Sequence, residues 1–181
     1  MTRTELKVGG LTGQGVMLCG ALLGRAATVH AGLEACLIQS LGAEARGSAC
    51  SAQLILADGP IGNPYVQAPD VLVVLSQSAF DLFIPQLKPG GLVLYESELV
   101  NPKDRLPQGA RAVGVPATRF AEEAGRRLVL NIVMAGFVAG MTRLLPLAAM
   151  EKALLASVPR GTEDLNVRAL NKGYQFALSN L

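Results

Sequence analysis

Gly9, Gly10, Gly13 and Gly15 crowd into the first half of VGGLTGQGVMLCGALLG, residues 8–24, where an apolar run gives way to a helix-forming one. Glycines at such a junction permit positive φ and let backbone approach a ligand with no Cβ in the way. The unpaired N–H groups at the head of the next helix, with the helix dipole behind them, then suit an anion. Gly10-Leu11-Thr12-Gly13-Gln14-Gly15 reads G-x-x-G-x-G, so the dinucleotide fingerprint G-x-G-x-x-G is met only with Thr12 in a glycine's place. A dinucleotide site also wants an acidic residue at the end of the second strand. That strand ends in Gln39-Ser40, and Glu34 stands at its start. A nicotinamide site is therefore a minor reading. An anion site of another kind and a tight turn without ligand both stay open.

The second candidate stretch is GAEARGSAC, residues 42–50, with Glu44 and Arg46 among small residues and Gly47 next. A guanidinium presented from a tight turn can clamp a carboxylate or phosphate. Arg46 could equally pair with a glutamate, pin the loop or meet another subunit. Both loops are expected at the carboxyl edge of a parallel sheet, where open α/β sheets bind ligands. Ser76, Gln77, Ser78, Glu96, Ser97 and Glu98 are expected at the same edge.

These polar residues form no complete catalytic set. The sequence has no G-x-S-x-G elbow and no paired-carboxylate motif, and its one histidine, His30, closes an apolar helix. Cys19, Cys36 and Cys50 show no C-x-x-C spacing. An odd count without a signal peptide suggests reduced thiols in the cytoplasm, and neither a structural zinc nor an iron–sulfur cluster held by this chain alone.

The elements that must position these loops alternate. Strands are expected at 4–9, 33–40, 51–57, 70–76, 92–97 and 110–115. DVLVVLS, residues 70–76, is the clearest buried strand. Helices are expected at 14–30, stopped by Gly32, at 78–87, and then without strands at 117–126, 129–144, 147–157 and 163–179. Thr162 reads as the cap of the last. The whole of 1–181 is expected to form one domain, a three-layer, Rossmann-like α/β/α fold with a mostly parallel sheet and a helical C-terminal tail.

Composition agrees. Charged residues are 17% of 181, against about 25% in ordinary soluble domains, and mean hydropathy is +0.37. Buried parallel sheet and surface covered by partners both produce such a chain. Residues 1–100 hold 5 Lys/Arg and 8 Asp/Glu (−3), and residues 101–181 hold 11 and 6 (+5), with no basic run. Nucleic acid is therefore not an expected partner. LVLNIVMAGFVAGM, residues 128–141, imitates a membrane span, but Asn131 interrupts it and Thr142, Arg143 and Pro146 end it. It is short of the roughly 20 apolar residues a span needs. It reads as a buried helix whose Gly136 and Gly140 admit a second backbone.

Together, GGLTGQGV and GAEARGSACSAQLILADGPIGNP resemble the gamma subunit or gamma domain of the 2-oxoacid:ferredoxin oxidoreductases. The likeness continues through PDVLVVLSQSAFDLFIPQLKPGGLVLYESELV, VPATRFAEEAG, LNIVMAGFVAG and LNVRALNKGYQFAL, essentially the whole chain. Thr12, Ala43 and Ser48 depart from the family's usual Gly, Pro and Gly, and Ala57-Asp58-Gly59-Pro60-Ile61 replaces its Ser-Asp start. The resemblance is strongest to the 2-oxoglutarate branch. It implies a subunit that is not catalytic alone, in a complex that oxidatively decarboxylates a 2-oxoacid, forms the acyl-CoA and passes electrons to ferredoxin. It implies alpha, beta and delta (ferredoxin-like) partner subunits, with thiamine diphosphate and iron–sulfur clusters on the partners. Coenzyme A would be met as co-substrate by Gly10, Thr12, Gly13, Gln14 and Gly15 on one loop and by Glu44, Arg46 and Gly47 on the other. An isolated chain could pair as a homodimer. A free-standing NAD-type oxidoreductase and a purely structural assembly subunit are the alternatives.

Overall fold

The computed structural model describes residues 3–42 and 47–181. Six strands form one sheet: β1 (Arg3–Leu11), β2 (Glu34–Ser40), β3 (Ala49–Ala57), β4 (Val71–Val74), β5 (Leu92–Glu96) and β6 (Arg111–Val115), in the order β2-β3-β1-β4-β5-β6. β4 and β5 are short and almost wholly buried, as the continuous apolar runs require. Six α-helices accompany them: α1 (Val16–Arg25), α2 (Gln77–Phe83), α3 (Ala117–Ala124), α4 (Leu130–Thr142), α5 (Leu147–Leu155) and α6 (Glu163–Leu178). A π turn, Ala26–His30, prolongs α1 to the expected stop at Gly32, whose φ is 68°.

Five strands run one way and β3 runs against them, antiparallel to both β2 and β1. The β2–β3 connection explains the exception. Residues 41–48 are too few for the crossover that two parallel strands need, about a dozen residues or more. The reversal leaves the expected placement of the loops intact. β2 ends and β3 begins at the edge where β1 ends, with Leu11 opposite Ala49 and Ser40 opposite Ser51.

The two faces are unequal. Leu6, Val8, Leu54 and Leu56 belong to a large core with residues of α1, α3, α4, α5 and α6. On the other face Leu72, Val74 and Val93 pack under α2 through Phe80, Phe83 and Ile84. The apolar helix α4 is the centre of the thick side, with 12 of its 13 residues buried. A Cβ on Gly136 would run into the Leu170 carbonyl, and one on Gly173 into that of Val133. The small residues thus bring α4 and α6 into backbone contact, as the sequence suggests. Thr162 stands at the expected N-cap of α6, but its hydroxyl donates to the Pro159 carbonyl at 2.7 Å and makes no bond to an α6 backbone N–H.

Candidate functional site

β1 leads into the glycine loop at a point where the chain changes sides. From β1 it passes to β2 and β3 on one flank, and returns to β4, β5 and β6 on the other. Ligands of open α/β sheets bind in the crevice that such a switch opens. Here the Gln14 side chain bridges it. Its Oε1 accepts the Leu11 N–H at 2.7 Å, and its Nε2 donates to the Leu75 carbonyl just beyond β4 at 2.9 Å. Gln14, expected as a ligand residue, thus spends both ends of its amide on the loop's shape. Gly10 is also a packing residue: a Cβ there would lie 2.7 Å from Val16 Cγ2 and 2.9 Å from Gln14 Oε1.

Gly13 is the exposed residue of the loop. Thr12 N–H donates to the Ser48 carbonyl at 3.0 Å, and Gln14 N–H to the Leu11 carbonyl at 3.0 Å. Among the described residues no partner is found for the Gly13 and Gly15 amides. Gly13 and Gly15 hold φ of 99° and 76°, which L side chains rarely adopt. Gly15 caps α1 and its carbonyl accepts the first helical bond, from Cys19 N–H at 3.0 Å. The helix's leading N–H groups, from Val16 on, have no intrahelical acceptor and point out of its end. No acidic side chain occupies the first turn of α1.

Two pockets flank this turn. One, of about 220 Å³, is lined by Gly13, Gln14, Leu99, Arg127, Leu128 and Leu130. The other, of about 420 Å³, is lined by residues of the turn and α1 together with Leu41 and Cys50. Among the described residues Arg127 is the one cation lining either pocket. It lies just before α4 in a segment from which the sequence singled out no site residue. Its signal was available: a cation beside the LNIVMAGFVAG helix, though nothing local ties that helix to the glycine loop. Cys50 is 4% exposed, and burial pushes its thiol upward in pKa. Burial pushes the Cys19 thiol up to about 12. Neither is placed or activated as a nucleophile.

Gly47 is exposed with φ 80°, beside Ser48, which is tied to Thr12. Glu44 and Arg46 lie outside the described residues. Two other polar residues of the edge, Ser76 and Glu96, cap helices. Ser76 Oγ accepts the Ala79 N–H at 3.3 Å and caps α2. Glu96 is fully buried: Oε1 accepts the Thr118 N–H at 3.0 Å at the head of α3, and Oε2 accepts the Glu98 N–H at 2.8 Å. Glu34 opens β2 at the opposite edge, so no described carboxylate stands where a dinucleotide's ribose would need one. Among the described residues no three His, Cys, Asp or Glu side chains gather as a metal-ligand group. No described helix is long and apolar enough to cross a membrane.

Residues 5–176 match the family model of the pyruvate ferredoxin/flavodoxin oxidoreductases. Over 177 residues the chain is 43% identical to the 2-oxoglutarate synthase subunit KorC of Methanocaldococcus jannaschii, covering 97% of this chain and 94% of that one. The solved gamma subunit of a keto/oxoacid ferredoxin oxidoreductase from Geobacter sulfurreducens superposes with TM-score 0.84 at 33% identity, over 97% of this chain and 99% of that one. A 2-oxoglutarate:ferredoxin oxidoreductase from Magnetococcus marinus, solved with 2-oxoglutarate, coenzyme A and succinyl-CoA bound, contains the same fold within a longer chain. There the TM-score is 0.88 at 20% identity, over 99% of this chain and 32% of that one.

Proposed function

The chain belongs to the pyruvate ferredoxin/flavodoxin oxidoreductase family, and from that premise we propose that it is the gamma subunit of a 2-oxoglutarate:ferredoxin oxidoreductase. The complex oxidises 2-oxoglutarate to succinyl-CoA and carbon dioxide and passes two electrons to ferredoxin. This subunit contributes the coenzyme A side of the active site. The observation that carries the reading is the glycine turn at the switch point of the sheet, with its outward amides and with Arg127 lining the pocket beside it. Coenzyme A presents phosphates, which suit backbone N–H groups at a helix head and a guanidinium. The name of the M. jannaschii relative and the ligands bound in the M. marinus enzyme support the choice of substrates.

Each loop residue then has a part. Gly13 and Gly15 bring bare amides to the phosphates; Gly10 and Gln14 hold the turn; Thr12 ties it to Ser48. Glu44, Arg46 and Gly47 are proposed as further coenzyme A contacts, with Arg46 supplying a second cation. Thiamine diphosphate and the iron–sulfur clusters are assigned in this reading to the alpha, beta and delta subunits. Thiamine diphosphate, when held by those subunits, would supply the chemistry of decarboxylation. This chain binds and orients the thiol co-substrate and shields the site from water. The complex works in the cytoplasm.

The rim of the turn supports a subunit role. Leu128 is 77% exposed and Leu41 73%, and Leu18 and Leu99 also stand uncovered around the two pockets. Apolar surface of that kind fits a face closed by a neighbouring subunit. Purification of the complex from its native cell tests the proposal. The chain is expected to co-elute with thiamine- and cluster-bearing subunits and with coenzyme A-dependent 2-oxoglutarate oxidation. Elution alone, without such partners, overturns it. Arg46→Ala in the reconstituted complex separates a ligand role from pure assembly. A raised coenzyme A requirement in an intact complex supports the former, and a lower yield of assembled complex with unchanged kinetics in what does assemble supports the latter.

A further inference from the structure

We propose that Asn131, on α4, is a positioning residue that aims the Val16 N–H, the first amide of α1 after the glycine turn, toward the phosphate site. The inference rests on the coenzyme A reading of that turn and adds to it a residue that does not touch the ligand.

Asn131 is 3% exposed in a helix whose other buried residues are all apolar or glycine. An amide in such surroundings is costly unless it is hydrogen-bonded. The bond it makes reaches out of its own helix. Nδ2 donates to the Gly15 carbonyl at 3.3 Å, across 116 positions of sequence. The side chain also lies flat against Gly15, where a Cβ would stand 2.6 Å from Asn131 Cγ. Gly15 is thus glycine twice over, for its φ of 76° and for the room Asn131 takes.

The geometry gives that bond a consequence. The Gly15 carbonyl accepts from Cys19 N–H along the helix and from Asn131 Nδ2 beside it. A trans peptide is planar, so its C=O and the next residue's N–H point in opposite directions. Holding the Gly15 oxygen inward therefore holds the Val16 N–H outward, along the helix axis toward the turn's open side. Gln14 fixes the same turn from its other end, through Leu11 and Leu75. Two side-chain amides, one local and one brought by α4, thus fix the turn from both sides. At 3.3 Å the Asn131 bond is long and adds little stability. Its value lies in orientation, because donors for an anion count only when they point at it.

The test uses the assembled complex with three variants. Asn131→Leu keeps the branching at Cγ and removes the donor, Asn131→Ser keeps a smaller polar group should the bulkier leucine not fold, and Arg127→Ala serves as the control in the pocket. Steady-state kinetics read the KM for coenzyme A, the KM for 2-oxoglutarate and kcat. Asn131→Leu is expected to raise the coenzyme A KM about 10-fold, leaving the 2-oxoglutarate KM and saturating kcat within about 2-fold. Asn131→Ser is expected to fall between it and wild type. If Arg127→Ala raises that KM while the assembled Asn131 variants lose only thermal stability, the positioning role is overturned and the coenzyme A site stands. If none of the three changes the coenzyme A KM, the site reading fails and the inference with it.

Discussion

The two edges of the sheet both carry polar residues and use them in opposite ways. At the amino edge they are paired. Glu5, 7% exposed, accepts N–H bonds from Gln67 at 3.0 Å and Ala68 at 3.3 Å while pairing with Arg3 at 2.8 Å. Arg3 holds the Asn63 carbonyl at 3.0 Å, and Asp70 accepts the Glu5 N–H at 2.7 Å and the Lys88 ammonium at 2.7 Å. These bonds fasten the turn-rich segment 58–70 under the sheet. At the carboxyl edge the side chains cap helices and brace the turn, but the amides of Gly13 and Gly15 and the pocket beside Arg127 stay open. A polar group satisfied within its own chain stabilises the fold, and one left open at a switch point is available to a ligand. The difference separates two kinds of charged cluster that look alike in sequence.

The largest effect is expected at the amino edge. Glu5→Ala strands two backbone donors and removes the ion pair with Arg3, so it should cost about 3 kcal/mol of stability. At this chain length that corresponds to a Tm about 6–12 °C lower by calorimetry, with the coenzyme A KM of the assembled complex unchanged. A change in that KM would dissolve the separation of the edges. Arg127→Ala should behave in the reverse sense. The coenzyme A KM should rise about 10-fold, equivalent to about 1.4 kcal/mol, with Tm moved by no more than about 2 °C because the side chain is exposed.

The strands and helices were legible because each has its own signal. DVLVVLS can only be buried strand between its turn residues, and Gly136, Gly140 and the apolar run around them mark a helix packed on another. The reversal of β3 was legible too, in the eight positions 41–48, but alternation of elements pulled the reading toward parallel pairing. The site was legible as a place and only partly as a set of residues. Gln14 stands where a ligand residue would, and its position in the chain does not show that Leu75, 61 positions away, takes up its amide. Glu96 likewise reads as an open carboxylate until α3 arrives to be capped. Arg127 and Asn131 reach the turn only because α4 packs against α1, a tertiary event without local signature.

The smallest expected effect lies between the edges, on β1 itself. Lys7 is 6% exposed; its Nζ donates to Gln86 Oε1 at 2.7 Å and lies 4.5 Å from the centre of the Phe83 ring. Among the described residues no carboxylate stands within ion-pair distance, and burial lowers its pKa from 10.5. The sign follows from the charged form. Below the folded pKa both states carry the proton and folding bears the full desolvation cost. Between the folded pKa and 10.5 the unfolded chain binds more protons than the folded one, so stability rises with pH across that window. Lys7→Met keeps the stem against Phe83 and removes the charge. It should therefore raise stability by about 1 kcal/mol at pH 7, and the advantage should shrink as pH approaches 10.5. Denaturant melts at pH 7 and pH 10 read both quantities. A constant difference between the two pH values would mean that Lys7 sits comfortably charged in its place, through Gln86 and the Phe83 ring. The middle of β1 would then share the self-contained charge pairing of the amino edge.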